Sequence, residues 1–201
     1  MKRAFDIALA LILLLLTWPI ILAITIAILW REGGPVFYVA ERMKTPQRPF
    51  SLIKFRTMSH VPDDQNAGVT GGDKASRITH IGHKLRRYRL DELPQLINVL
   101  RGDMSFVGPR PPLRQYTDKF PKLYGNVLRS RPGVTGLATL HYHRHEERLI
   151  ATATTSEETE AIYATRCVPR KAHLDLIYQR HASVCFDAVI LWQTLAKVLG
   201  R

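Results

Sequence analysis

Residues 7–30 carry no charged side chain and are almost entirely Leu, Ile and Ala. A helix needs about 20 such residues to match the hydrocarbon core of a bilayer, so this stretch belongs in lipid and the remainder must fold beside it. A cleavable leader would have an apolar run of about 7–15 residues and then a small-residue cleavage site. Trp30-Arg31-Glu32 makes a poor exit of that kind, so the segment is read as retained. Pro19 lies near its middle, where a missing N–H kinks a helix. Lys2 and Arg3 precede the run, and Arg31, Arg42, Lys44, Arg48, Lys54 and Arg56 follow it, which would hold both ends on the cytoplasmic side. Two topologies fit: a re-entrant helix that bends at Trp18 and Pro19, or a single-pass anchor whose few leading charges cross.

The other 170-odd residues set the class of partner. The chain has 201 residues, 29 Lys and Arg against 17 Asp and Glu, and a formal charge of +12. A hydrophobic content of 46% excludes a disordered or fibrous protein. Cys167 and Cys185 suit neither a disulfide scaffold nor a cysteine metal site. So basic a chain needs an acidic partner: nucleic acid, an anionic phospholipid membrane or a phosphorylated substrate. Nucleic acid is set aside, because no recognisable module and no aromatic stacking series is present.

Gly33-Gly34-Pro35 ends the first helix. Residues 35–40 and 50–55 read as strands of a hairpin around Thr45-Pro46-Gln47-Arg48-Pro49. Residues 60–76 read as a Gly/Asp loop in which Asp63 and Asp64 are solvated. Residues 78–100 are helical with an interruption. Thr155-Ser156-Glu157-Glu158 opens a capped helix expected to stop before Pro169. Near the end, Ala188, Leu191, Trp192, Leu195 and Val198 share one helical face, with Asp187, Thr194 and Lys197 opposite. That helix could pack on the core, lie on a bilayer or meet a second subunit in a homo-oligomer.

Chemistry gathers between residues 84 and 136. Pro94 fits a helix only near its first turn, so a helix should begin around Leu90 or Asp91, with Asp91 and Glu92 at its positive end. Adjacent helical carboxylates diverge by about 100°, which suits a division of labour: one as nucleophile, the other as base or metal ligand. Arg86, Arg87 and Arg89 should keep both ionised. Taken alone, the pair reads first as an ordinary helix start with a solvated basic face. Two Gly/Pro loops, Val107-Gly108-Pro109-Arg110-Pro111 and Arg129-Ser130-Arg131-Pro132-Gly133-Val134-Thr135-Gly136, fix arginines on stiff backbone suited to phosphate. Lys54-Phe55-Arg56-Thr57-Met58 adds a basic pair. His141, His143 and His145 alternate as on a substrate-lining or surface strand, and no Cys or carboxylate completes a usual zinc set. Asp6 is read as paired with Lys2 and Arg3, and Asp103 as a brace of its loop.

These motifs carry a resemblance. Lys2-Arg3-Ala4-Phe5-Asp6, the apolar segment with its proline, Gly34-Pro35-Val36-Phe37, Lys54-Phe55-Arg56-Thr57-Met58, Leu90-Asp91-Glu92-Leu93-Pro94-Gln95-Leu96, Gly102-Asp103-Met104-Ser105, Val107-Gly108-Pro109-Arg110-Pro111 and Arg131-Pro132-Gly133-Val134-Thr135-Gly136 occur in order. The chain thereby resembles the bacterial sugar transferases, monotopic phosphoglycosyl transferases. The match is dense to about residue 137 and loose beyond. The resemblance implies an α+β, mainly helical fold: a re-entrant membrane helix (1–32), then a compact catalytic domain (33–201) with a small hairpin and amphipathic interfacial helices. It implies that Asp91 attacks the sugar-bearing phosphate of a UDP-sugar, releasing UMP, and that a polyprenol (undecaprenyl) phosphate then takes the phosphosugar. Mg²⁺ would be held by Asp91 and Glu92. Lys54, Arg56, Arg86, Arg110, Arg131, Gly133 and Thr135 would bind substrate or phosphate, at the cytoplasmic face of a bacterial inner membrane.

The chain departs from the pattern in three places. Trp18 stands where the family usually has Ser before the bend proline, and Arg89 replaces a common Ser two residues before the aspartate. After Gly136 an Asn-Gly-Arg-Asn type stretch gives way to Leu137-Ala138-Thr139-Leu140-His141. An inactive relative, or a membrane-anchored basic scaffold, is therefore the alternative reading.

Overall fold

The computed structural model describes residues 1–59 and 77–200, so the expected loop with Asp63 and Asp64 lies outside the described residues. Helix α1 (Lys2–Glu32) runs without a break through Pro19 and ends at Gly33, whose φ of 67° is open to glycine. Thirty-one residues at about 1.5 Å each give about 46 Å. The helix is long and apolar enough to cross a membrane. One side packs on the rest of the chain: Leu9, Leu13 and Leu14 near the start, Ile21, Ile24 and buried Ile28 towards the end. The other side exposes Leu11, Leu15, Trp18, Leu22, Ile26 and Leu29. Pro19 has no N–H to give the Leu15 carbonyl; two residues nearer the N-terminus, the Thr17 hydroxyl donates to Leu13 O at 2.7 Å.

Both ends of α1 are tied down. Lys2 Nζ donates to Val107 O (3.2 Å) and Tyr178 Oη (3.0 Å), and pairs with Asp187. Arg3 caps carbonyls of Val99 and Leu100. Asp6 does not pair with these cations as expected: it is fully buried and accepts from Ser105 Oγ (3.0 Å) and Phe106 N (3.3 Å). The cations reach other acceptors, and one oxygen of the buried carboxylate finds two donors about 100 residues along the chain. At the far end, Arg56 donates to the carbonyls of Glu32, Gly33 and Gly34 at 2.7–2.9 Å.

Strands β1 (Phe37–Thr45) and β2 (Arg48–Phe55) form the expected antiparallel hairpin, with Ala40 opposite Leu52. They extend past the sequence expectation because Met43 alternates inward and its N–H bonds Pro112 O at 3.0 Å. Residues 78–100 divide into α2 (His80–Arg87), a 3₁₀ turn (Leu90–Glu92) and α3 (Gln95–Arg101). Asn98, fully buried, stitches α3 to β2 by accepting from Ile53 N (3.0 Å) and donating to Ser51 O (2.7 Å).

Strand β3 (Ser105–Val107) pairs in parallel with β4 (Gly133–Thr135), so the two Gly/Pro loops lie side by side. Gly108 N donates to Thr135 O and Gly133 N to Pro109 O, both at 2.9 Å. A Cβ on Gly133 would sit 2.2 Å from Gly108 N, and one on Gly108 would sit 2.2 Å from Arg131 O. These glycines let the loops approach each other.

Helices α4 (Arg114–Lys119), α5 (Pro121–Val127), α6 (Leu137–Ile150), α7 (Ser156–Ile162), α8 (Val168–His181) and α9 (Val184–Leu199) complete the fold. Two expectations are corrected here. His141, His143 and His145 lie on helix α6, not a strand, so His143 points to a different side from the other two. The helix capped by Thr155 does not stop before Pro169. A π segment (Tyr163–Cys167) carries it into α8, where Pro169 occupies the first turn and loses no essential hydrogen bond. In α9 the polar side is the docked one: Asp187 and Ile190 are buried, while Val189, Trp192, Leu195 and Leu199 are exposed.

Candidate active site

Arg89 shapes the site before any side chain acts. Its left-handed backbone (φ 58°, ψ 20°) ends α2 and sends the chain into the 3₁₀ turn bearing Asp91 and Glu92. A non-glycine residue there costs about 1–3 kcal/mol, the kind of strain that collects at functional positions. Pro94 then caps α3, so the carboxylates precede the α-helix by one turn instead of opening it, as the sequence had implied.

The two carboxylates live in different surroundings. Glu92 meets Lys54 Nζ at 2.8 Å, Arg89 at 3.7 Å and Arg110 at 3.9 Å. Burial alone would raise its pKa, but these three cations outweigh it and hold the carboxyl down at about 2. Asp91 is 8% exposed, and its Oδ1 is buried without a hydrogen-bond partner. Burial, with Glu92 beside it, pushes the Asp91 carboxyl above the usual aspartate range; Lys54, Arg86 and Arg89 pull it back. The surroundings thus act in opposite directions on the two groups: the cations dominate at Glu92 and desolvation at Asp91.

The candidate residues are not all gathered at this centre. Lys54, Arg86 and Arg110 act on it directly, with Arg86 Nε also held by Thr57 Oγ1 at 2.9 Å. Arg56 is committed to the end of α1, and Gly133 to packing against Gly108. Among the described residues, Arg131 has no hydrogen-bond or carboxylate partner. Thr135 Oγ1 lies 3.0 Å from Thr194 Oγ1 of α9. Trp18 is exposed on α1. Asp103, expected to brace its loop, pairs with Lys44 at 3.3 Å. Sequence reading missed Arg42, a partly buried guanidinium facing Arg110, and Asn98, whose burial only the fold reveals.

Beside Glu92 opens a cavity of about 290 Å³, walled by Leu13 and Thr17 of α1, by α6 and by α9. Among the described residues no cluster of three or more His, Cys, Asp or Glu could hold a metal.

A family model described as bacterial sugar transferase matches residues 1–201. The chain belongs to the bacterial sugar transferase family. Against a "UDP-glucose:undecaprenyl-phosphate glucose-1-phosphate transferase" of Xanthomonas campestris pv. campestris it is 36% identical, over 100% of this chain and 39% of that protein. A "UDP-N-acetylgalactosamine-undecaprenyl-phosphate N-acetylgalactosaminephosphotransferase" of Aeromonas hydrophila is 32% identical, over 98% and 43%. "Exopolysaccharide production protein ExoY" of Rhizobium meliloti (strain 1021) is 33% identical, over 98% and 84%. The chain spans about two fifths of the first two relatives and most of the third. As a bacterial sugar transferase, it matches its relatives through the divergent stretch after Gly136 as well as through the dense motifs.

Proposed function

We propose that this chain transfers a phosphosugar from a UDP-sugar to a polyprenol phosphate through a covalent intermediate on Asp91. The observation that carries the reading is the buried, unpartnered Asp91 oxygen in a cationic cradle, in a chain whose relatives are named for such transfers. In the first half-reaction an Asp91 carboxylate oxygen bonds to the sugar-bearing phosphorus. The bond from that phosphorus to the bridging oxygen breaks, and UMP leaves with that oxygen. In the second, a phosphate oxygen of the polyprenol phosphate bonds to the same phosphorus, and the Asp91–phosphorus bond breaks to restore the carboxylate. Lys54, Arg86 and Arg110 hold the phosphates and neutralise the charge that moves between them, where most catalysis of phosphoryl transfer resides.

The orphaned Asp91 oxygen beside Glu92 fits Mg²⁺, which takes one or two carboxylates, substrate phosphate oxygens and water. When bound, the ion would offset diphosphate charge. Glu92, already paired with Lys54, keeps that lysine aimed at the site.

We read α1 as re-entrant, at the cytoplasmic face of the inner membrane. Lys2, Arg3 and Asp6 at one end, and the Glu32–Gly34 carbonyls at the other, bind the same folded unit, whereas a spanning helix carries its ends to opposite sides. The outward Trp192, Leu195 and Leu199 of α9 would rest on the lipid as an interfacial helix. A cysteine beside Met1 should react with a membrane-impermeant thiol reagent only from the cytoplasmic side; periplasmic labelling would defeat this topology.

The expected kinetic result is a burst of UMP, stoichiometric with enzyme, when UDP-sugar is added without acceptor. UMP release that strictly requires polyprenol phosphate would count against the covalent step. A panel of UDP-sugars in the same assay identifies the donor.

A further inference from the structure

We propose that the cavity between α1, α6 and α9 is the acceptor's seat, with Arg144 as the cation that holds the polyprenyl phosphate head group. The proposal rests on the phosphosugar-transfer reading and assigns one of its substrates to a place.

The cavity's composition is that of a site for an amphiphile. Leu13, Leu96, Phe106, Leu140 and Val198 make its wall mostly apolar, while Arg89, Arg144 and Lys197 give it three cations against the single carboxylate of Glu92. Glu92 is already matched by Lys54, and Lys197 Nζ is spent on Leu140 O at 2.5 Å. Arg144, exposed on α6, has no carboxylate partner among the described residues. An unmatched guanidinium over an apolar trough suits a ligand with one anionic end and a long hydrocarbon body. A UDP-sugar, polar along its whole length, would leave those apolar walls uncovered.

Placement supports the same ligand. Two walls come from α1 and α9, the helices whose other sides expose Leu15, Trp18, Trp192 and Leu195. An isoprenoid resting among those side chains in lipid can enter the cavity sideways without passing through water. Its head would then meet Arg144 and Arg89 next to the turn that carries Asp91. Lys54, Arg110 and Arg42 are not among the residues lining the cavity, which leaves them for the nucleotide sugar.

Exchange of labelled UMP into UDP-sugar reports the donor half-reaction alone, so it separates this proposal from the one beneath it. With Arg144→Gln, exchange should proceed unchanged, while KM for undecaprenyl phosphate rises about ten- to a hundredfold, the worth of a charged hydrogen bond. Arg144→Lys should recover most of the affinity. Val198→Trp, which fills the cavity without touching a charge, should raise the acceptor KM with exchange intact. An unchanged acceptor KM in both Arg144→Gln and Val198→Trp overturns the assignment, as does a parallel fall of exchange and transfer. If wild-type enzyme transfers phosphosugar but shows no exchange, the covalent reading fails by itself, and the same acceptor KM values still decide the cavity.

Discussion

Asp91→Asn is expected to lower transfer at least about a thousandfold while raising the melting temperature at neutral pH. The loss follows because an amide oxygen is a poor nucleophile and cannot form the phosphosugar ester. The gain follows from burial. Desolvation raises the Asp91 pKa above its value in the unfolded chain, so the folded state binds that proton more tightly. Stability contributed by Asp91 is therefore greatest at low pH and declines as pH rises through the raised pKa. At neutral pH the ionised carboxylate is a burden that asparagine, neutral and of the same shape, removes. A UMP burst assay and a thermal melt of the same detergent-purified sample check both halves. Lost activity together with a lowered melting temperature would mean that Asp91 serves the fold. The pH profile of the donor half-reaction should show an acidic limb above the ordinary aspartate range, for the same reason.

Glu92→Gln should act in the opposite direction on stability. Its carboxyl is held at about 2 against an ordinary 4.5, so it stabilises the fold fully above about pH 4.5 and loses that contribution as pH falls towards 2. Removing it at pH 7 leaves Lys54 partly buried beside Arg110 and Arg89 with no carboxylate of comparable closeness. Breaking such a pair costs about 3 kcal/mol, and in a chain of this size that lowers the melting temperature by roughly 6–12 °C. From pH 7 down to pH 3 the gap between the melts of wild type and variant should narrow, because the unfolded chain's carboxyl takes up its proton before the folded one does. A constant gap across that range would place the effect elsewhere.

The contrast between these two neighbours marks the limit of what the sequence makes legible. The apolar run of α1, the hairpin, the Thr155 cap and the two Gly/Pro loops are local, and local chemistry dictates them. The Asp91-Glu92 pair and its basic surroundings are also visible in the string, as is Lys54 at a distance of 38 positions once the motif is known. Which carboxylate the cations favour is not visible. That depends on Lys54 and Arg110 converging on Glu92 while one Asp91 oxygen is enclosed without a donor. Arg56 and Gly133 illustrate the converse: a basic motif residue turned to backbone carbonyls, and a glycine needed by a neighbouring glycine. The strand reading of residues 141–145 failed because alternating histidines look alike on either element until α6 is packed against α8 and α9. In α9 the amphipathic pattern was legible, but its orientation was not. Lys2, Thr135 and Leu140 recruit the polar side inward through Asp187, Thr194 and Lys197.

The contact of Lys2 with Tyr178 and Asp187 closes a loop of 185 residues. Entropy charges little for such length at equilibrium, because closure grows only logarithmically, but contacts this remote slow the search for the native state. During synthesis from the N-terminus, α1 leaves the ribosome long before the two helices that fasten its first turn exist. On the membrane reading proposed above, lipid would shelter its leucines in that interval, and the bilayer would be the template on which the later segments assemble.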